Sequence, residues 1–118
     1  MYQINTKEAI FTLPKIGDIT IKGYSRSAYR TGYLIQPYNI YLDAGLPSPV
    51  PASLVLVSHG HYDHIAALFS LLVDSEKSVV MIPASIQSTV QKMLDGFRGL
   101  NSGRDVSFNN WKPVTSLS

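Results

Sequence analysis

The chain reads as an α/β domain, and three observations predict it. Short strand patterns crowd the first half. From Leu54 onward, apolar strand patterns alternate with amphipathic helix patterns, the order expected of an α/β sandwich. The composition, 45% hydrophobic and 15% charged residues, is that of a globular chain rather than a disordered one. At 118 residues the chain is one domain or part of one.

Taken in order, residues 1–16 carry Ile10, Phe11 and Leu13, either a short leader strand that stops at Pro14 or a flexible arm. Ile19-Thr20-Ile21-Lys22-Gly23 alternates apolar with polar, as a half-buried strand does. Tyr24 to Thr31 reads as a polar loop carrying Arg26 and Arg30. Gly32–Ile35 and Asn39–Leu42 read as strands around a turn at Gln36-Pro37-Tyr38, and Asp43-Ala44-Gly45 closes the second. Pro47, Pro49 and Pro51 make 46–52 a loop. Leu54-Val55-Leu56-Val57 is wholly apolar, the pattern of a strand buried on both faces of its sheet.

Ile65, Leu68, Phe69 and Leu72 stand at i, i+3, i+4 and i+7, which predicts an amphipathic helix over 64–73. Ser78–Ile82 is a further apolar strand, stopped by Pro83. Ser85 is placed to cap a second helix over 86–98, with Ile86, Val90, Met93, Leu94 and Phe97 as its core stripe and Gly99 at its end. Val106–Phe108 reads as a last strand, and 111–118 as a tail in which Trp111 serves packing.

Several classes are set aside. A net charge of +2 does not by itself argue for nucleic acid. The absence of cysteine excludes disulfides and thiolate ligands. No apolar run approaches the ~18 residues of a membrane span. Met1 to Glu8 lacks the charged and apolar blocks of a secretory signal, so the expectation is a soluble, cytoplasmic protein with no membrane partner.

The chemistry concentrates in Ser58-His59-Gly60-His61-Tyr62-Asp63-His64, which holds every histidine of the protein. Imidazole and carboxylate are ligands that Zn²⁺ favours. His59 and His61 stand two apart, so in extended backbone both rings face one side and can grip one ion. Asp63 and His64 follow where the chain turns into a helix, which aims them at a second ion. Two ions about 3.5–4 Å apart can activate a water and stabilise the leaving oxygen of a phosphate ester. A single histidine would ordinarily be a surface or capping residue; three within six positions, with an acid between them, argue for metal.

Four segments together carry a family resemblance: Gly23-Tyr24-Ser25 with Thr31, then Ile40-Tyr41-Leu42-Asp43-Ala44-Gly45, then Val57 to Leu68 around the histidine array, then Ile82-Pro83-Ala84-Ser85-Ile86. From about Gly23 to about Leu100 the chain resembles the N-terminal half of a metallo-β-lactamase-fold hydrolase, and within that superfamily the short-form, plant-type ribonuclease Z. Ala66 and Ala67 stand where that family commonly has two glycines. The resemblance implies half of an αββα sandwich, a mixed β-sheet with two helices, over a single partial domain spanning 1–118.

It implies an activity too: zinc-dependent endonucleolytic removal of the 3′ trailer from precursor tRNA. His59 and His61 would bind one ion and Asp63 and His64 the other, with Asp63 also acting as general base. Asp43 matches an acidic position that supports a histidine from behind, unless it is an ordinary turn at a strand end. Arg26 and Arg30, with Tyr24, Tyr29 and Tyr33, could contact RNA phosphates and unpaired bases, or form a solvated loop.

The family completes its site with a further histidine, an aspartate and another histidine, and this chain has no histidine after His64. Four ligands leave two ions with open positions. The expectation is therefore a fragment completed by a second half, or a homo-oligomer. Other readings are a phosphodiesterase of cyclic nucleotides, another hydrolase of this fold, and a non-catalytic remnant that binds RNA or a partner.

Overall fold

A computed structural model describes residues 7–26, 30–72, 77–100, 108 and 110–115, with Arg26 described in its backbone alone. Among the described residues, seven strands form one sheet in sequential order. β1 (Lys7–Leu13), β2 (Gly17–Arg26), β3 (Arg30–Gln36) and β4 (Ile40–Leu42) make an antiparallel meander. From β4 the sheet continues in parallel through β5 (Leu54–Leu56), β6 (Val79–Pro83) and β7 (Trp111–Val114). Two one-turn helices, α1 (Tyr62–Ile65) and α2 (Leu68–Leu71), lie between β5 and β6, and α3 (Gln87–Leu100) lies between β6 and β7. The fold is thus α/β with a mixed sheet, and no described helix is long and apolar enough to cross a membrane.

The alternation of strand side chains decides where the core sits. Val55, Val57, Val80 and Ile82 share one face and are buried against Leu68, Leu71, Val90 and Leu94. Phe69 and Phe97 bring α2 and α3 together on that side, their ring centroids 5.6 Å apart. Leu54 and Leu56 point the other way and stay half-exposed, while Leu42, Met81 and Val114 are exposed. The expectation that 54–57 is buried on both faces is therefore corrected: among the described residues, helices cover one face of the parallel strands only. On the bare face, Leu42, Leu56, Met81 and Val114 line a groove of about 550 Å³ that runs up to Asp43 and Ser58.

Leu68 is fully buried between the helices and the sheet. Leu68→Ala is expected to cost about 2–5 kcal/mol, read as a fall in the urea midpoint at unchanged slope.

Other expectations change in detail. Residues 24–31 are not simply a loop: Tyr24 to Arg26 and Arg30 to Thr31 extend the β2–β3 hairpin, and Arg26 pairs with Arg30 at its tip. Ile10, Phe11 and Leu13 lie in β1, an exposed edge strand that ends before Pro14, while residues 1–6 lie outside the described residues. The helix expected over 64–73 is broken at Ala66-Ala67. Ala67 donates its N–H to the Ala44 carbonyl at 2.7 Å rather than back along the helix, and the His64 carbonyl accepts from Ala44 at 2.6 Å. A neighbouring loop thus takes the hydrogen bonds that would have continued the helix.

Ser85 does not cap α3. It sits inside a single 3₁₀ turn, Ala84–Ile86, that leads into the helix. Gly99 does not end α3, which continues to Leu100. Val106 lies outside the described residues, and the last described strand comes later, at Trp111–Val114. Trp111 fastens this edge strand. Its indole N–H donates to Gln91 Oε1 at 2.6 Å, and its ring meets Phe108 edge-on with centroids 5.0 Å apart.

Tyr41 is buried under the proline loop, and its hydroxyl donates to the Val50 carbonyl. Burial pushes the phenol pKa up, offset in part by the Ser48 hydroxyl. A raised folded-state pKa means that the contribution is present below the unfolded value of ~10 and lost as pH rises through the folded value. Tyr41→Phe should therefore flatten the alkaline fall in stability while costing about 1 kcal/mol at neutral pH through the lost hydrogen bond.

Candidate metal centre

The histidine array begins where β5 leaves the sheet. Val57 still donates to the Met81 carbonyl at 2.9 Å, and from Ser58 the chain is no longer in the ladder. His61 is extended, and α1 starts at Tyr62 with Asp63 in its first turn and His64 in its last. The ring centroids of His59 and His64 are 4.1 Å apart, and those of His59 and His61 are 4.7 Å apart with the rings edge to face. The three imidazoles therefore cluster at the C-terminal end of the parallel strands, where α/β sheets present their ligand crevices.

A three-residue platform, Asp43-Ala44-Gly45, sits beneath them. Asp43 donates its N–H to the Leu56 carbonyl at 2.8 Å, Ala44 bonds both His64 and Ala67, and Gly45 donates to the Thr31 carbonyl at 2.9 Å. The platform is tied to β3, β5 and α1 at once. A Cβ on Gly45 would overlap the backbone carbonyls of Asp63 and Thr31, so only glycine lets the chain pass this close. Asp43 has φ of +61°, a left-handed conformation that aspartate tolerates better than most residues.

From there the Asp43 carboxylate reaches the array. Oδ1 accepts the Ser58 N–H at 2.8 Å, the Ser58 hydroxyl lies 2.8 and 2.9 Å from the two oxygens, and His64 Nδ1 lies 2.9 Å from Oδ2. An ionised carboxylate only accepts, so His64 Nδ1 carries a hydrogen and donates it. In the neutral ring that leaves a lone pair on Nε2, which faces Asp63 Oδ2 at 3.3 Å. Two acceptors this close need a proton or a cation between them. The separation is also that of two ligands on one tetrahedral ion with bonds of about 2.0–2.2 Å.

Asp63 is buried and takes a long hydrogen bond, 3.4 Å, from the Thr31 hydroxyl. Among the described residues, no group of three or more His, Cys, Asp or Glu side chains converges ready to hold an ion. The array meets in pairs instead: His64 with Asp63, and His59 with each of the other two histidines. In donor chemistry the set is of the kind that zinc favours.

Most of the residues singled out in the sequence can be placed. His59, His61, Asp63, His64 and Asp43 come together. Arg30 reaches the platform, its Nη1 3.4 Å from the Gly45 carbonyl. The side chain of Arg26, and Tyr29, lie outside the described residues. Sequence reasoning assigned no role to Ser58, Thr31 or Gly45 at this site. Ser58 had a signal in its position beside the array, and Thr31 and Gly45 only in the segments that carry the resemblance; strand pairing brings those two in. Compared with known proteins, the chain matches no family model and no curated sequence.

Proposed function

We propose that this chain is the histidine-bearing half of an αββα metallo-hydrolase of the metallo-β-lactamase type, a zinc-dependent phosphodiesterase resembling ribonuclease Z that trims the 3′ trailer of precursor tRNA. The observation that carries this reading is the line Asp43–His64–Asp63, in which a carboxylate fixes one ring nitrogen and turns the other onto a second carboxylate. Supporting carboxylates of this kind orient metal-bound histidines.

A divalent ion bound there supplies Lewis acidity and lowers the pKa of a water. The residues of this chain supply the rest. His59, His61 and His64 offer neutral nitrogen lone pairs. Asp63, hydrogen-bonded by Thr31, offers an oxygen and a base that can take the proton of an attacking water. Any further histidine ligand comes from outside these 118 residues. The bare apolar face of the parallel strands, continuous with the site through its groove, is the surface such a complement would cover.

The test is cleavage of a trailer-bearing precursor tRNA by the zinc-loaded chain, alone and mixed with the C-terminal half of a complete ribonuclease Z. A single cut at the start of the trailer is expected from the mixture. Hydrolysis of cyclic nucleotides without tRNA cleavage would move the assignment to another phosphodiesterase. A chain that takes up no zinc in either state would be a non-catalytic remnant.

A further inference from the structure

We propose that Ser58 is a positioning residue whose hydroxyl relays the Asp43 carboxylate to His59, so that one carboxylate sets the tautomers of two histidines at once. Its consequence for metal rests on the function proposed above; the tautomers themselves do not. Ser58 Oγ lies 2.8 and 2.9 Å from the Asp43 oxygens and 2.9 Å from His59 Nδ1. A hydroxyl has one hydrogen and two lone pairs. Were that hydrogen given to His59, the hydroxyl oxygen would face an ionised carboxylate with lone pairs on both sides and nothing between them. The hydrogen therefore goes to Asp43, in a bond strengthened by the carboxylate charge. The hydroxyl must then accept from His59, which places a hydrogen on Nδ1 and leaves Nε2 as the lone pair.

Asp43 acts directly on His64 in the same sense, through Nδ1 at 2.9 Å. The two rings are tilted 48° with centroids 4.1 Å apart, and each has its Nδ1 tied to the same carboxylate, His64 at first hand and His59 through one oxygen. A free neutral histidine side chain favours the opposite tautomer, with hydrogen on Nε2, so the arrangement must be imposed. Both rings thereby turn Nε2 to the site, that of His59 as a lone pair and that of His64 opposite Asp63 Oδ2. The backbone N–H of Ser58 also donates to Asp43 Oδ1, which holds the hydroxyl in reach of both partners.

Ser58 is exposed, so its truncation leaves the core untouched. The experiment is side-chain ¹⁵N NMR on the metal-free chain at alkaline pH, where long-range couplings report which ring nitrogen carries the hydrogen. In the natural sequence both His59 and His64 are expected as Nδ1–H. In Ser58→Ala, His59 should revert towards Nε2–H while His64 keeps its tautomer, and Ser58→Thr, which retains the hydroxyl, should restore His59. An Nε2–H tautomer at His59 in the natural chain, or a His59 signal unmoved by Ser58→Ala, would overturn the relay. Zinc titration of the same proteins separates the two ideas. Ser58→Ala is expected to bind 10–100-fold more weakly, with Ser58→Thr near the natural chain. The tautomer pattern without zinc binding in any variant would remove the metal reading and leave the relay standing.

Discussion

Asp43→Asn is expected to leave the chain folded and to weaken zinc binding by about 10–100-fold. Asparagine tolerates the left-handed φ of +61° as aspartate does, and its carbonyl can still accept the Ser58 N–H at the strand end. The change falls on the other side of the group. An amide NH₂ turned to His64 Nδ1 donates where the carboxylate accepted, so Nδ1 must present its lone pair and the hydrogen moves to Nε2. Nε2–H then faces Asp63 Oδ2 across 3.3 Å and makes a hydrogen bond in the place of an ion. The site closes on itself. The stability cost should stay near 1–2 kcal/mol, since charge-assisted bonds become neutral ones without a donor being buried alone. Competition against a coloured chelator measures the affinity, and urea unfolding the fold. A folded variant that binds zinc as tightly as the natural chain would reduce Asp43 to an ordinary turn.

The second large effect is at Gly45. Gly45→Ala is expected to destabilise by about 3 kcal/mol, the upper end for an overpacked site, and to lower zinc binding with it. The added methyl meets the carbonyls of Asp63 and Thr31, which are backbone and cannot rotate away. Nor can the platform retreat, because Asp43, Ala44 and Gly45 each hold a hydrogen bond to a different neighbour. Relief must come from moving α1, and Asp63 and His64 ride on that helix. Gly96 provides the comparison. It lies in α3, where an added Cβ would meet nothing within 4 Å, so Gly96→Ala should stabilise by roughly 0.5–1 kcal/mol. Equal losses for the two substitutions would show that the platform is not held as described.

The legibility of this chain varied with the range of the force involved. Ile19 to Gly23 announced a strand because alternation is local, and Ile86, Val90 and Leu94 announced a helix for the same reason. Leu54 to Val57 misled, since four apolar residues look alike whether one face or both are covered, and the covering is done by helices further along the chain. The helix expected over 64–73 failed for a comparable cause. Its period is intact, but Ala44 supplies competing backbone partners from a loop twenty residues earlier. Trp111 to Val114 gave no strand signal because Pro113 and exposed positions resemble a tail, and only pairing with β6 makes it a strand.

At the site the same division holds. The order of residues by itself brought three imidazoles and a carboxylate together, because six neighbouring positions at a strand end cannot lie far apart. The tertiary structure alone decided what orients them. Asp43 reaches Ser58 across 15 residues and His64 across 21, Thr31 reaches Asp63 across 32, and Gly45 slips beneath α1. Those meetings depend on β4 lying parallel to β5 and antiparallel to β3, a register fixed by burial of one face of the central strands and carried by no single stretch of sequence.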